Sequence, residues 1–489
     1  MVRWEPSTTK IVKIARCAAR AFSSALALGA ALSCGASGEA PGSGVESPPV
    51  KLEMSGVPGA ASAAVPSSPP ACEEKAASPG PWPRATGLVR AIAGKPGEAM
   101  GWLEQPIEGR GAVRLRFLGT HVFDLLDKLA AEGGPDEASR RRMICAALNA
   151  VAERGAPVVR IWGTLKRTGT AEEIERARAM LGLVLDENAR RARPLRFVVS
   201  LLNHQPGYGL PSPEVSLDDQ KTPGWSAREV YLSGAWQRRG IGQLAERIER
   251  YREDVSIRSS PYVLAWELVN ELDTHRSVAG GSFGGAAADR LVSAFLAPAA
   301  AMLAEGFSQP IAFGDLRGAL YSYSDFAERA VEALSPAARA RLVWTAHVYL
   351  ETTDPPPSEA ERRALAERGT RKLDVDMEIA RSLGLPFFLG EIGQHVRGAK
   401  TAYCAGGARH DIPGLLQAAL APDRDPRGRR DIEAAVFWGE GLCGLTIDAA
   451  AGWRVDIGAG GDSADLGPGE AAARDAVAAA RGWPRFLVR

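Results

Sequence analysis

The chain has 489 residues, 45% of them hydrophobic and 24% charged, which suffices for a large core and is too globular a composition for a mostly disordered protein. Lys and Arg number 59 against 58 Asp and Glu, a formal net charge of +1. No field of one sign exists to gather polyanions or anionic membranes, so no nucleic-acid partner is expected.

At the N-terminus, Lys10, Lys13, Arg16 and Arg20 precede an apolar run from Ala21 to Ser33. That run is too short to span a bilayer and suits the apolar region of a secretory signal peptide over residues 1–34. The stretch "ALSC", ending at Cys34, resembles a bacterial lipobox, with Ala31 where that motif usually has Leu. The expected product is therefore a secreted protein or, with Cys34 lipidated, a cell-surface lipoprotein attached to the membrane by that lipid. Residues 35–85 are dense in Pro, Gly, Ser and Ala; they offer too little apolar surface to offset the entropy of ordering and read as a disordered linker.

From residue 86 to 489 the sequence predicts one catalytic domain, expected to act as a monomer. Eight short apolar runs follow one another: "VRLRFLG" (113–119), "PVVRIWG" (157–163), "LRFVVSLLN" (195–203), "YVLAWELVNE" (262–271), "QPIAFGD" (309–315), "LVWTAHVY" (342–349), "PFFLGEIG" (386–393) and "AAVFWGEG" (434–441). Most are continuously apolar, as parallel strands covered on both faces are. Segments such as "EASRRRMICAALNAVAERG" and "AEEIERARAMLGLVLDENARRA" lie between them with helical spacing, and several end at Gly. Eight strand and helix pairs predict the α/β class and a (β/α)₈ TIM barrel. Strand order is invisible in a sequence, which leaves a doubly wound open sheet as the alternative.

Polar residues gather at the run ends: Arg160 and Trp162, Asn203 and His204, Asn270 and Glu271, Asp315, His347 and Tyr349, Glu391, and Trp438. In a barrel these positions converge on the face where active sites are built. Glu271 and Glu391 are the sharpest pair. Facing each other with carboxyl groups about 5–5.5 Å apart, they would form the acid and nucleophile of a retaining glycosidase. A salt bridge is the ordinary alternative for either acid alone.

The motifs carry a resemblance. "VLAWELVNE" is similar to the fourth-strand motif of clan A glycoside hydrolases, especially family five endo-β-mannanases and cellulases, and "FFLGEIG" to their seventh-strand nucleophile motif. "LRFLGTHVFDLL", "VVRIWG", "LLNHQPGYG", "AHVY" and "VFWGEG" resemble the first, second, third, sixth and eighth strands, in order, from about Arg114 to Gly441. The resemblance implies that Glu271 is the acid/base, Glu391 the nucleophile and Asn270 the partner of the sugar 2-hydroxyl. It implies that Arg160 holds Glu391 ionised, that His347 and Tyr349 complete a polar ring, and that Trp438 floors the pyranose. Trp162 and one of Asn203 and His204 are further substrate contacts; alternation does not choose between the last two. Glu267 shares strand parity with Glu271 and reads as a structural ion-pair partner, with Arg160 as the candidate. Glu440 reads as subsite or loop structure.

The expected substrate is a β-linked polysaccharide or oligosaccharide, mannan slightly ahead of glucan. A carbohydrate-binding surface protein on an inactive barrel is the competing class, but it would have lost a carboxylate. No Cys/His spacing resembles a zinc site, and no cofactor or metal is expected. Of the cysteines at 17, 34, 72, 145, 404 and 443, Cys404 and Cys443 fall in two late loops; in an exported protein they could pair, and two free thiols are the alternative.

Overall fold

A computed structural model describes residues 84–115, 117–122, 124–134, 136–153, 157–165, 170–202, 234–270, 292–314, 323–353, 358–397, 434–437, 445–448 and 454–457. All of these belong to one compact unit, Ser68–Arg489. The expected signal peptide lies outside the described residues, as does the linker up to residue 83. Packing is already established at Arg84, whose guanidinium donates to the carbonyls of Ala189 and Arg191 at 2.7 Å each.

The strands in chain order are β1 (Arg90–Ile92), β2 (Trp102–Ile107), β3 (Gly111–Arg114), β4 (Phe117–His121), β5 (Val158–Trp162), β6 (Arg196–Ser200), β7 (Val263–Glu267), β8 (Ile311–Gly314), β9 (Leu342–Thr353), β10 (Phe387–Arg397), β11 (Ala434–Phe437), β12 (Leu445–Asp448) and β13 (Arg454–Ile457). Strands β4 to β11 close into a barrel in the order β10-β11-β4-β5-β6-β7-β8-β9, every pairing parallel. That closure decides for the (β/α)₈ barrel and against the open sheet.

Burial on both faces explains the continuous apolar runs. In β5, Val159 and Ile161 join the large core between strands and helices, while Val158 belongs to a second cluster inside the barrel. The helix Ala171–Arg190 shows how the outer layer is built. Thr170 caps it by accepting from the Glu173 amide at 3.2 Å, and Glu173 returns the bond to the Thr170 amide at 3.3 Å. Ile174, Ala177, Leu181, Val184 and Leu185 form its buried stripe. Its last turn sets the entry to β6, because the Asn188 amide exchanges two bonds with Leu195, at 2.8 and 3.0 Å.

Two features around the first barrel strand depart from the sequence reading. The run 113–119 is not one strand: β3 ends at Arg114 and β4 begins at Phe117. Strands β1, β2 and β3 form a separate antiparallel sheet that the sequence reading missed. Val113, Leu115 and Phe117 keep one alternation across the junction and enter the same inner cluster, together with Leu103 and Ile107 of β2. The small sheet thus supplies apolar side chains to the barrel interior. Its polar residue there, Gln105, is satisfied: Oε1 accepts from Arg196 Nε at 3.0 Å and Nε2 donates to the carbonyls of Gly87 and Pro261. Burial draws Arg196 down to about 10.

Cys145, on the helix Glu137–Glu153, is disulfide-bonded. Cys404 and Cys443 lie outside the described residues.

Candidate active site

A buried polar cluster joins the last residues of β4 and β7 to residues within β5, β9 and β10; it is built on Arg160, the third residue of β5, which is fully buried. Its Nη1 donates to Glu391 Oε1 at 2.5 Å and lies 3.4 Å from His121 Nε2. Its Nη2 donates to Glu267 Oε2 at 2.5 Å and to Asn270 Oδ1 at 2.6 Å. One guanidinium therefore joins β4, β5, β7 and β10. On the far side of Glu391, His347 Nδ1 lies 3.2 Å from Oε2 and donates to it. Each oxygen of Glu391 is thus held by its own partner.

Electrostatics follow from burial. A buried cation is costly unless paired. Burial by itself would weaken the Arg160 cation, but the Glu267 and Glu391 carboxylates against it hold its pKa above the usual arginine value. His121 is pushed the other way: burial, then the Arg160 charge, then His347 hold it well below the ordinary imidazole range, so it is neutral near pH 7. Its ring meets Trp162 edge-on, centroids 5.9 Å apart.

The backbone aims these groups. Pairing of β4 with β5 sets His121 beside Arg160, and pairing of β9 with β10 sets His347 beside Glu391. In β10 the register shifts between Leu389 and Glu391, so Gly390 is a one-residue bulge. A Cβ at Gly390 would lie 3.1 Å from His347 Nε2. Asn270 stands three residues beyond the end of β7, where its amide nitrogen bonds the Leu202 carbonyl at 2.8 Å. The expected strand 262–271 is shorter than its apolar run, because the last residues leave the ladder to reach that carbonyl.

Of the residues singled out from the sequence, Arg160, Asn270, His347 and Glu391 come together here, with Glu267 as the ion-pair partner of Arg160. Trp162 is buried at 4% exposure, its ring in edge-type contact with His121. Tyr349 lies in β9 with its backbone paired to Gly393. Glu271, Asn203, His204, Asp315 and Trp438 lie outside the described residues. His121 was overlooked, although "FLGTH" ends a strand on a polar residue as the other runs do. Gly390 was overlooked too; an isolated Gly inside a strand pattern is a signal of a bulge. Among the described residues no group of three or more His, Cys, Asp or Glu is placed to hold a metal ion.

No protein-family model matches the chain, and no curated protein matches it. Among solved structures, the chain is similar to a glycoside hydrolase family 5 mannosidase from Rhizomucor miehei, with 13% identity and a TM-score of 0.51, over 80% of this chain and 98% of that one. A hyperthermostable endo-1,4-β-D-mannanase from Thermotoga petrophila RKU-1 aligns at 17% identity and a TM-score of 0.44, over 74% of this chain and 99% of that one. The alkaline cellulase K catalytic domain aligns at 13% identity and a TM-score of 0.43, over 83% and 98%. At 13% identity the likeness to the mannosidase is one of fold.

Proposed function

We propose that the chain is a retaining glycoside hydrolase of family five, cleaving a β-linked polysaccharide or oligosaccharide, with β-mannan ahead of β-glucan. The observation that carries this reading is Glu391 on barrel strand β10, with Arg160 on one carboxylate oxygen and His347 on the other. An acid that served only as a salt bridge would not require a second partner, a bulge that turns it inward and a neighbouring Asn. The barrel shared with the family 5 mannosidase adds support.

In this mechanism the Glu391 carboxylate attacks the anomeric carbon while Glu271 protonates the departing glycosidic oxygen, leaving a glycosyl ester on Glu391. Glu271, now ionised, takes a proton from water, and the water displaces Glu391 with net retention. Arg160 and His347 stabilise Glu391 as the leaving carboxylate in that second step. Asn270 has a role that its geometry suits: Oδ1 accepts from Arg160, which fixes the amide orientation, and the NH₂ of an amide so oriented is the group that would donate to a sugar hydroxyl, a bond that strengthens as oxocarbenium character develops. Trp438, Tyr349, Trp162 and one of Asn203 and His204 complete the sugar site. Export through residues 1–34, with Cys34 either lipidated or not, would deliver the enzyme to an extracellular substrate.

The deciding experiment is release of reducing ends from soluble mannan, cellulose and mixed-linkage glucan by the native chain and by Glu391→Gln. The reading expects activity on at least one substrate and none in the variant. Saturable sugar binding by the native chain with no reducing ends would instead establish a carbohydrate-binding protein.

A further inference from the structure

We propose that His121 is a positioning residue: a neutral imidazole that accepts from Arg160 through Nε2 and so fixes the guanidinium that holds Glu391. This rests on the glycosidase reading above.

Arginine only donates, so the Nη1 approach to His121 Nε2 at 3.4 Å is a hydrogen bond only when Nε2 carries no proton. Neutral His121 must then carry its proton on Nδ1. Arg160 has four Nη hydrogens and four acceptors here: Glu391 Oε1 and His121 Nε2 for Nη1, Glu267 Oε2 and Asn270 Oδ1 for Nη2. Each hydrogen has a different destination, and the planar fork has one orientation that serves all four.

Removing the His121 acceptor frees one Nη1 hydrogen. If that hydrogen turned to the second oxygen of Glu391, the resulting bidentate pair would draw the carboxylate away from its bond to His347 Nδ1. The fault would appear in the chemical step, since a small misplacement of a reacting group lowers the rate by up to about a hundredfold. His121 itself is well placed to resist: it is buried, in register with Arg160, and backed edge-on by Trp162. Its buried setting between the Arg160 charge and His347 also keeps it unprotonated, as an acceptor must be.

The test compares the full chain with His121→Leu, His121→Gln and Glu391→Gln on 2,4-dinitrophenyl β-mannobioside and β-cellobioside. The expected result is kcat lower by about tenfold or more in His121→Leu with KM within twofold, and recovery to within about threefold of the parent in His121→Gln, whose amide oxygen can accept. An unchanged kcat in His121→Leu, a loss confined to KM, or no recovery with Gln would overturn the proposal. Should His121→Leu fail to fold, ¹⁵N-histidine NMR of the native chain decides. The resonance lost in His121→Gln should show a protonated Nδ1 and bare Nε2, and an Nε2–H would overturn the idea. No turnover of either glycoside by the parent chain would remove the glycosidase reading itself, and full turnover by Glu391→Gln would remove Glu391 as its nucleophile; both outcomes are distinct from failure at His121.

Discussion

Glu391 is in register with His347 and not with Val348, because Gly390 adds one residue to β10 where β9 has none. Phe388 pairs with Thr345 and Leu389 with Ala346. An unbroken ladder would then set Glu391 against Val348, which is buried in the outer core among the helices. A slip of one residue exchanges the two faces of a strand. The bulge is what turns the acid toward Arg160 and His347.

Gly390→Ala should therefore impair both stability and catalysis. The added methyl would sit 3.1 Å from His347 Nε2 and 3.2 Å from Cδ2, tighter than ordinary contact. The imidazole must shift, loosening its bond to Glu391 Oε2. Overpacking of this kind costs about 1–3 kcal/mol. Denaturant unfolding should show that loss, and kcat should fall about tenfold or more; a variant with parental values of both would remove the bulge from the argument.

Arg160→Met should be among the most destabilising single changes in the barrel. It leaves Glu267 and Glu391, both buried, without the cation between them. Breaking a buried ion pair by removing one partner costs about 3–5 kcal/mol. The double variant Arg160→Met with Glu267→Gln should recover part of that stability by relieving one uncompensated charge, and equilibrium urea unfolding of the parent, the two single variants and the double variant measures the coupling.

How much of this was legible beforehand depended on what kind of pattern recorded it. The continuous apolar runs and polar run ends follow from burial on both strand faces and from the C-terminal mouth, so seven of the eight runs lie on barrel strands without ambiguity. The run 113–119 misled because Val113, Leu115 and Phe117 send one uninterrupted alternation into the same inner cluster from two different sheets. Strand β2 was missed because its buried face alternates Leu103 and Ile107 with the polar Gln105, and Pro106 weakens the strand signal further. Arg160, Asn270, His347 and Glu391 were visible as strand-end polar groups. His121 was hidden by a strand that ends two residues later than its apolar run.

Stability should fall with acid in a window that belongs to His121. Its folded pKa lies well below the ordinary value of about 6.5, so the neutral form is favoured by folding. Above about pH 6.5 neither state binds the proton, and the stabilising contribution is fully present. As pH drops below that value the unfolded chain takes up the proton while the folded one does not. The loss is then up to about 1.4 kcal/mol per pH unit, continuing until the lowered folded pKa is reached. His121→Gln should flatten the stability profile below about pH 6.5 by that slope; an unchanged profile would show that His121 does not titrate on unfolding.

The two proposed carboxylates should separate under chemical rescue. Glu391→Gln removes the nucleophile, so no glycosyl ester forms and substrates with good and poor leaving groups should fail alike. Glu271→Ala removes the acid/base but leaves Glu391 between Arg160 and His347. A dinitrophenyl glycoside, whose leaving group needs no proton, should still glycosylate that variant. The intermediate should then accumulate, since no base remains to activate water. Azide needs no base and should restore turnover, giving a glycosyl azide of retained configuration by two successive displacements. Glu391→Gly, which unlike Gln leaves room for azide, should give a glycosyl azide of inverted configuration, because only one displacement then occurs. Inverted azide from the Glu271 variant, with retained azide from the Glu391 variant, would exchange the roles. Hydrolysis of soluble mannan or glucan at the parental rate by both variants would take the chemistry away from these two residues altogether.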